Sequence, residues 1–299
     1  MGKERTGRVP SVIADSHCHA WRYWPYQPAV PDAETRPVVE QLLFEMDQGG
    51  VERAAIVCAR IEHNPDNNFY VRGCVETYPD RLWQVADVDC SWSEEYHAPG
   101  AAERLRNAAQ TYGLKAFTHY VKGDDDGAWY VGDEGRAFFD TAQELGLIAS
   151  VSWPARLQPV LRQVAERVPG VTFLVHHMGG VKAAEPAPYP LFKEVLASAK
   201  LPNIAIKLSG FHHSSGPEDR FEYPYPHCRR LAQGLYEHYG PRRLVWGSDY
   251  PVVRSAMTYR QALEAVRRHC GFIRRDELEW VLGGNLVGLF GRAGRAASS

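Results

Sequence analysis

The chain has 299 residues, 44% of them apolar and 23% charged, with a formal net charge of −2. Length and apolar content allow a large core without disulfides or a structural metal, and the near-neutral charge excludes a broad electrostatic footprint for nucleic acid. The six cysteines (Cys18, Cys58, Cys74, Cys90, Cys228, Cys270) have no metal-type spacing, and no apolar run reads as a signal peptide or membrane span, so a cytoplasmic protein with reduced thiols is expected.

Strands and helices alternate along the chain. A short apolar strand at 12–15 leads directly into polar residues. Residues 36–49 have helical spacing, with Val39, Leu42, Leu43 and Met46 on one face and Gly49-Gly50 as a stop. Further strands are predicted at 53–57, 83–88, 114–118, 147–152, 171–175, 204–208 and 244–246. The helices between them fall at 67–78, 101–112, 133–145, 157–167, 189–199 and 226–239, and helices at 258–269 and 276–282 close the chain. About eight βα units without a break in composition predict a parallel sheet. Eight units at this length favour a closed (β/α)8 TIM barrel, one domain over 1–299 with its core at about 12–292. An open doubly wound sheet is the alternative, but no glycine-rich phosphate loop follows the first strand. Residues 1–9 and 295–299 read as loose ends.

Three strand ends carry reactive residues. The first is Asp15-Ser-His17-Cys-His19, whose two histidines point the same way on a strand. The second is His176-His177-Met-Gly-Gly180. Neighbours on a regular strand face opposite sides, so one of this pair, His177, is expected to face the site. The third is Trp246-Gly-Ser-Asp249-Tyr-Pro251. Surface histidines and a helix-capping aspartate would give the same letters. Taken together, three or four imidazoles and one carboxylate at the C-terminal ends of barrel strands suit zinc or another borderline divalent ion. They also suit a carboxylate acting as general base.

These segments, with Lys207-Leu-Ser-Gly210 and the closing Gly-Asn285-Leu, resemble the amidohydrolase-related family over about Ile13 to Phe290. That group includes sugar-lactone hydrolases, pyrone-dicarboxylate lactonase and metal-dependent aromatic decarboxylases. The resemblance implies His17, His19, His177 and Asp249 as both catalytic residues and metal ligands. It implies one divalent ion at most, zinc or manganese, and the pyrone-dicarboxylate type uses the same imidazoles without metal. Lys115, His119, Trp21 and His176 are candidate substrate contacts. The decarboxylases carry a metal-binding histidine on the fifth strand, whereas this chain reads Leu147-Ile-Ala-Ser-Val-Ser-Trp153. The lactonase branch is therefore expected, opening a cyclic ester of a sugar acid or aromatic catabolite, with non-oxidative decarboxylation as the alternative. Gly179 and Gly180 stand where relatives that bind pyrone dicarboxylate place an arginine, which argues against that substrate. Aromatic loops at 21–26, 129–130 and 221–225 would line the pocket or form an oligomer contact, and a homodimer is a possible assembly.

Overall fold

The computed structural model describes residues 12–294, so the two ends expected to be loose lie outside the described residues. Eight parallel strands pair in sequence order: β1 (Ala14–Cys18), β2 (Arg53–Val57), β3 (Leu82–Asp87), β4 (Ala116–Tyr120), β5 (Ile148–Ser152), β6 (Thr172–Val175), β7 (Ile204–Leu208) and β8 (Leu244–Trp246). Helices pack outside them through apolar stripes, as Val39, Leu42 and Met46 do in the helix Val39–Gly49. This is a (β/α)8 barrel.

The first strand starts and ends later than expected. It runs through His17 to Cys18, because these residues are fully buried inside the barrel mouth rather than in a loop above it. Pairing of β1 with β2 is irregular between Asp15 and Cys18. The β8–β1 seam has no regular ladder. It is held by the bridge between Cys18 and Tyr250, by Asp249 N–H donating to His17 O at 2.7 Å, and by His19 N–H donating to Tyr250 O at 2.6 Å. The buried Asp15 carboxylate completes the seam. Its Oδ1 accepts from the backbone N–H of His17 (3.0 Å) and of Ser248 (2.9 Å), and its Oδ2 accepts from the Tyr259 hydroxyl (3.1 Å).

Inside the barrel, small and branched residues form one layer: Ala14, Ala55, Val85, Ala116, Ile148, Leu174, Ala205 and Val245. Leu286 and Phe290 plug this layer from below. They come from a helix, Asn285–Arg292, that the sequence reading did not include. Gly283-Gly284 reads as a stop, yet the chain continues through a π-turn at Trp280–Gly284. A Cβ on Gly283 would lie 1.9 Å from Val12 O, so only glycine allows this close approach.

Two steps along each strand from that layer, the period-two alternation brings polar groups inside: Thr118, Ser150, His176 and Lys207, all at most 2% exposed. Among the described residues, no helix is long and apolar enough to cross a membrane. The six cysteines are free and buried.

Candidate active site

Asp249 is the centre of the arrangement. It follows β8 in a left-handed conformation (φ 64°) and is 1% exposed. Its Oδ1 lies 3.5 Å from His17 Nε2, 3.6 Å from His19 Nε2 and 3.9 Å from His177 Nε2. Its Oδ2 accepts from His213 Nε2 at 2.8 Å and lies 3.5 Å from His212 Nε2. Five imidazoles therefore surround one carboxylate. Burial alone would raise its pKa, but the surrounding imidazoles, His177 first, and the hydrogen bond from His213 outweigh it. The carboxyl is held well below its usual range and is ionised.

The four residues expected from the three strand ends converge here, and the structure adds detail to each. His19 Nδ1 lies 2.7 Å from Val57 O, an acceptor, which places the proton on Nδ1. The Nε2 lone pair then faces the carboxylate oxygen, two acceptors that call for a cation between them. His17 Nε2 is buried without a hydrogen-bond partner and faces the same oxygen. Burial, reinforced by Lys207 and the neighbouring histidines, lowers the His17 pKa well below its usual value; burial does the same at His177. Neutral imidazoles are the form that binds metal.

The distances from Asp249 to His17 and His19, 3.5 and 3.6 Å, suit a shared divalent ion. Ligand bonds of ~2.0–2.2 Å in a tetrahedron put neighbouring donor atoms about 3.3–3.6 Å apart. Three overlapping groups in the site could hold one: His17–His19–Asp249, His177–His213–Asp249 and His17–His176–His177.

Both members of the His176–His177 pair reach the site, contrary to the expectation that only one would. Leu174 faces the barrel interior, so His176 does too, and its ring packs 4.4 Å from that of His17. The strand then ends. His177 and Met178 take positive φ values of 46° and 53°, which turns the His177 ring inward as well. Its Nδ1 is 3.0 Å from Ser209 Oγ. His176 Nε2 is 2.8 Å from Ser150 Oγ, beneath the pocket rather than lining it.

Three of the expected substrate contacts lie elsewhere. Lys115 precedes β4 at the opposite, N-terminal end of the barrel, where its Nζ donates to Phe290 O at 3.0 Å. Trp21 is fully buried. It donates from Nε1 to Ala59 O and stacks on His19 at 4.8 Å, so it holds that ring from behind. His119 points outward into the helices, because Ala116, Thr118 and Tyr120 take the inward positions of β4. It is fully buried, with Nδ1 at 3.1 Å from Val88 O and Nε2 at 3.1 Å from the Tyr130 hydroxyl.

Burial pulls the His119 pKa from 6.5 down to about 4. As pH falls, the unfolded chain therefore takes up this proton first. The stability contributed by neutral His119 is fully present above pH 6.5 and is lost as pH falls towards 4, by about 3 kcal/mol at 1.36 kcal/mol per unit. In urea titrations between pH 7 and pH 4.5, His119→Gln should lose less stability than wild type by a comparable amount. Equal slopes for the two proteins would refute this account of His119.

Sequence reasoning missed several residues of the site. Lys207 is fully buried, and its Nζ donates to Ser150 Oγ at 2.7 Å and lies 3.2 Å from His17 Nδ1. Burial lowers its pKa to about 7. His212 and His213 follow β7 and reach Asp249. The signal for them was present, since Leu208-Ser-Gly-Phe-His-His repeats the pattern of a strand running into histidines seen after β1 and β6.

Above this floor lies a cavity of about 710 Å³ with His19, His177, His213 and Asp249 at its base. Trp24 and Tyr26 from the first aromatic loop line it, as does Tyr120. Trp129 and Tyr130 instead pack around His97 and His119, and Phe221 is 72% exposed.

The sequence matches the family described as Amidohydrolase over residues 14–292. The chain belongs to the amidohydrolase family. It is an enzyme of that family, and the buried imidazole–carboxylate cluster lies at the barrel end where such sites are built. Among curated relatives, L-fucono-1,5-lactonase of Burkholderia ambifaria is 26% identical over 81% of this chain and 81% of its own length. The 4-sulfomuconolactone hydrolase of Hydrogenophaga intermedia is 22% identical over 81% of this chain and 76% of its own. A structure of an amidohydrolase from Burkholderia multivorans with bound zinc shares the fold at TM-score 0.73 and 20% identity, covering 94% of this chain and 99% of that one.

Proposed function

We propose that this amidohydrolase is a lactonase, a hydrolase that opens the ring of a small cyclic ester. The observation that carries this reading is the ionised Asp249 at the cavity floor, with one oxygen bonded to His213 and the other facing His19 and His177. A water and an ester carbonyl can sit side by side there. β5 carries no histidine, where the resemblance implies a metal ligand for the decarboxylase branch. Both curated relatives named above act on lactones by name.

In this mechanism Asp249 takes a proton from water as the water oxygen attacks the carbonyl carbon. The His213 bond to Oδ2 holds the carboxylate so that Oδ1 faces the water. His177 faces the carbonyl oxygen and stabilises the charge that grows on it. The tetrahedral adduct collapses by breaking the bond to the ring oxygen, and Asp249 returns its proton to that oxygen. The products are one carboxylic acid and one hydroxyl on the same open chain. The residues that would hold a divalent ion are His17, His19, His177 and Asp249. When bound, such an ion supplies Lewis acidity to the carbonyl and makes water more acidic. The six buried free thiols support a reducing, cytoplasmic setting.

A panel of sugar lactones, muconolactones and pyrones, assayed with and without chelator, tests the reading. Acid release from at least one lactone is expected. A fall in rate on chelation, restored by zinc or manganese, would assign the ion a role. Carbon dioxide released from an aromatic acid, with no lactone opened, would replace this reading with decarboxylation.

A further inference from the structure

The charge on the cavity wall bears on which cyclic ester is opened, an inference that rests on the lactonase reading. Across the chain, 36 acidic residues outnumber 34 lysines and arginines. The cavity reverses that balance. Asp249 is the one carboxylate that lines it, at the floor, whereas Arg36, Lys182 and Arg220 stand on the wall. Arg36 is matched by Asp32, 2.7 Å away. Lys182, in the loop after β6, and Arg220, in the loop after β7, have no carboxylate partner among the described residues. Acids close to them in sequence are turned to other groups. Asp219 and Glu222 face His227 at 3.8 and 3.0 Å. Glu185 accepts from the backbone N–H of Leu191 and of Phe192, at the start of the helix Pro190–Ala197.

Both cations keep donors free. An ammonium carries three N–H groups and a guanidinium five. Lys182 Nζ donates to His213 O, and the His213 ring in turn bonds Asp249 at 2.8 Å, so this ammonium stands one residue away from the floor. Arg220 Nη2 donates to Ser255 Oγ at 2.7 Å, which ties the loop after β7 to the turn Val252–Ser255 after β8 and holds the guanidinium at the cavity edge. The hydroxyls of Ser214 and Ser255 line the cavity beside them. Cations without counter-charge around a cleft raise the local concentration of anions.

We infer that the substrate is a lactone bearing a carboxylate or a similar oxyanion, which Lys182 and Arg220 hold while the ring ester sits on the Asp249 floor. The charge of Asp249 repels that substituent, so the two ends of the cavity orient the ring: ester inward, anion towards the loops after β6 and β7.

The test pairs charged lactones with neutral analogues of the same shape. 5-Oxotetrahydrofuran-2-carboxylate, muconolactone and coumalate are each compared with their carboxamides as substrates of the full chain. For at least one pair, kcat/KM on the carboxylate should exceed that on the amide by about tenfold, because each exposed ion pair contributes up to about a factor of five. The difference should lie mainly in KM and shrink as salt is added. The double substitution Lys182→Gln, Arg220→Gln should bring the ratio within about twofold of one. Lys193→Gln removes a charge from an exposed helix position outside the cavity and should leave the ratio unchanged. An amide opened as fast as its acid, a ratio that survives the double substitution or is lost equally in Lys193→Gln, or activity confined to uncharged lactones of the broader panel overturns the anion inference and leaves the lactonase reading standing. Hydrolysis of none of these, nor of any lactone in the broader panel, overturns both.

Discussion

Asp249→Asn should lower kcat on the best lactone by about 10²–10⁴, the usual contribution of a positioned general base. The substitution keeps the size and one acceptor oxygen, so it leaves the fold and most of the imidazole contacts in place. What it removes, in the proposed mechanism, is the ability to accept a proton from water and return it to the leaving oxygen. The amide also carries no charge, so it gives up the interactions that hold the wild-type carboxyl ionised beside His177 and His213. Because the base acts in the bond-making step, the loss should fall on kcat, with KM changing little. Turnover of Asp249→Asn within threefold of wild type, with unchanged melting behaviour, would remove Asp249 from the mechanism.

Gly210→Ala should lower kcat/KM by about 10², although the residue touches no substrate. Gly210 has φ of 64°, a region that L side chains rarely adopt, and its Cβ would lie 2.6 Å from His177 Nδ1. The imidazole must give way, losing the bond to Ser209 Oγ that aims Nε2 at Asp249. Displacing a catalytic group by about 1 Å costs about that factor. The added backbone strain should take about 1 kcal/mol from stability, so the protein remains folded for the assay. Wild-type kcat/KM in a folded Gly210→Ala protein would show that the position of His177 is not set from this side.

The alternation of strands and helices was legible because each helix needs one apolar stripe and each strand a short apolar run, and both periods survive in the letters. The closing helix Asn285–Arg292 was not, because Gly283-Gly284 has the local chemistry of a stop. What overrides it is tertiary: Leu286 and Phe290 fill the barrel floor, and glycine at 283 lets the chain pass against Val12. The site was legible where a strand runs into histidine or aspartate. Which face of the strand points inward was less so. Alternation gives the period but not the phase, and positions facing the helices are as buried as those facing the barrel interior. His119 illustrates this, since Val88 O and the Tyr130 hydroxyl satisfy it on the outer side. Lys207 illustrates the converse, a cation inside the barrel that only its contacts with Ser150 and His17 reveal.

The seam between β8 and β1 also bears on how the protein comes to be active. The bond from Ser248 N–H to Asp15 spans 233 residues of chain, and His17, His19 and Asp249 stand on the two sides of that join. Contacts so distant in sequence carry the largest loop-closure cost, which slows their formation. During synthesis the first strand leaves the ribosome long before the eighth exists. A nascent chain ending before residue 244 has the histidine pair but neither the carboxylate nor the strand that closes the barrel. Chemistry at the Asp249 cluster is therefore withheld until the two ends of the sheet have met, and catalytic competence reports completion of the fold.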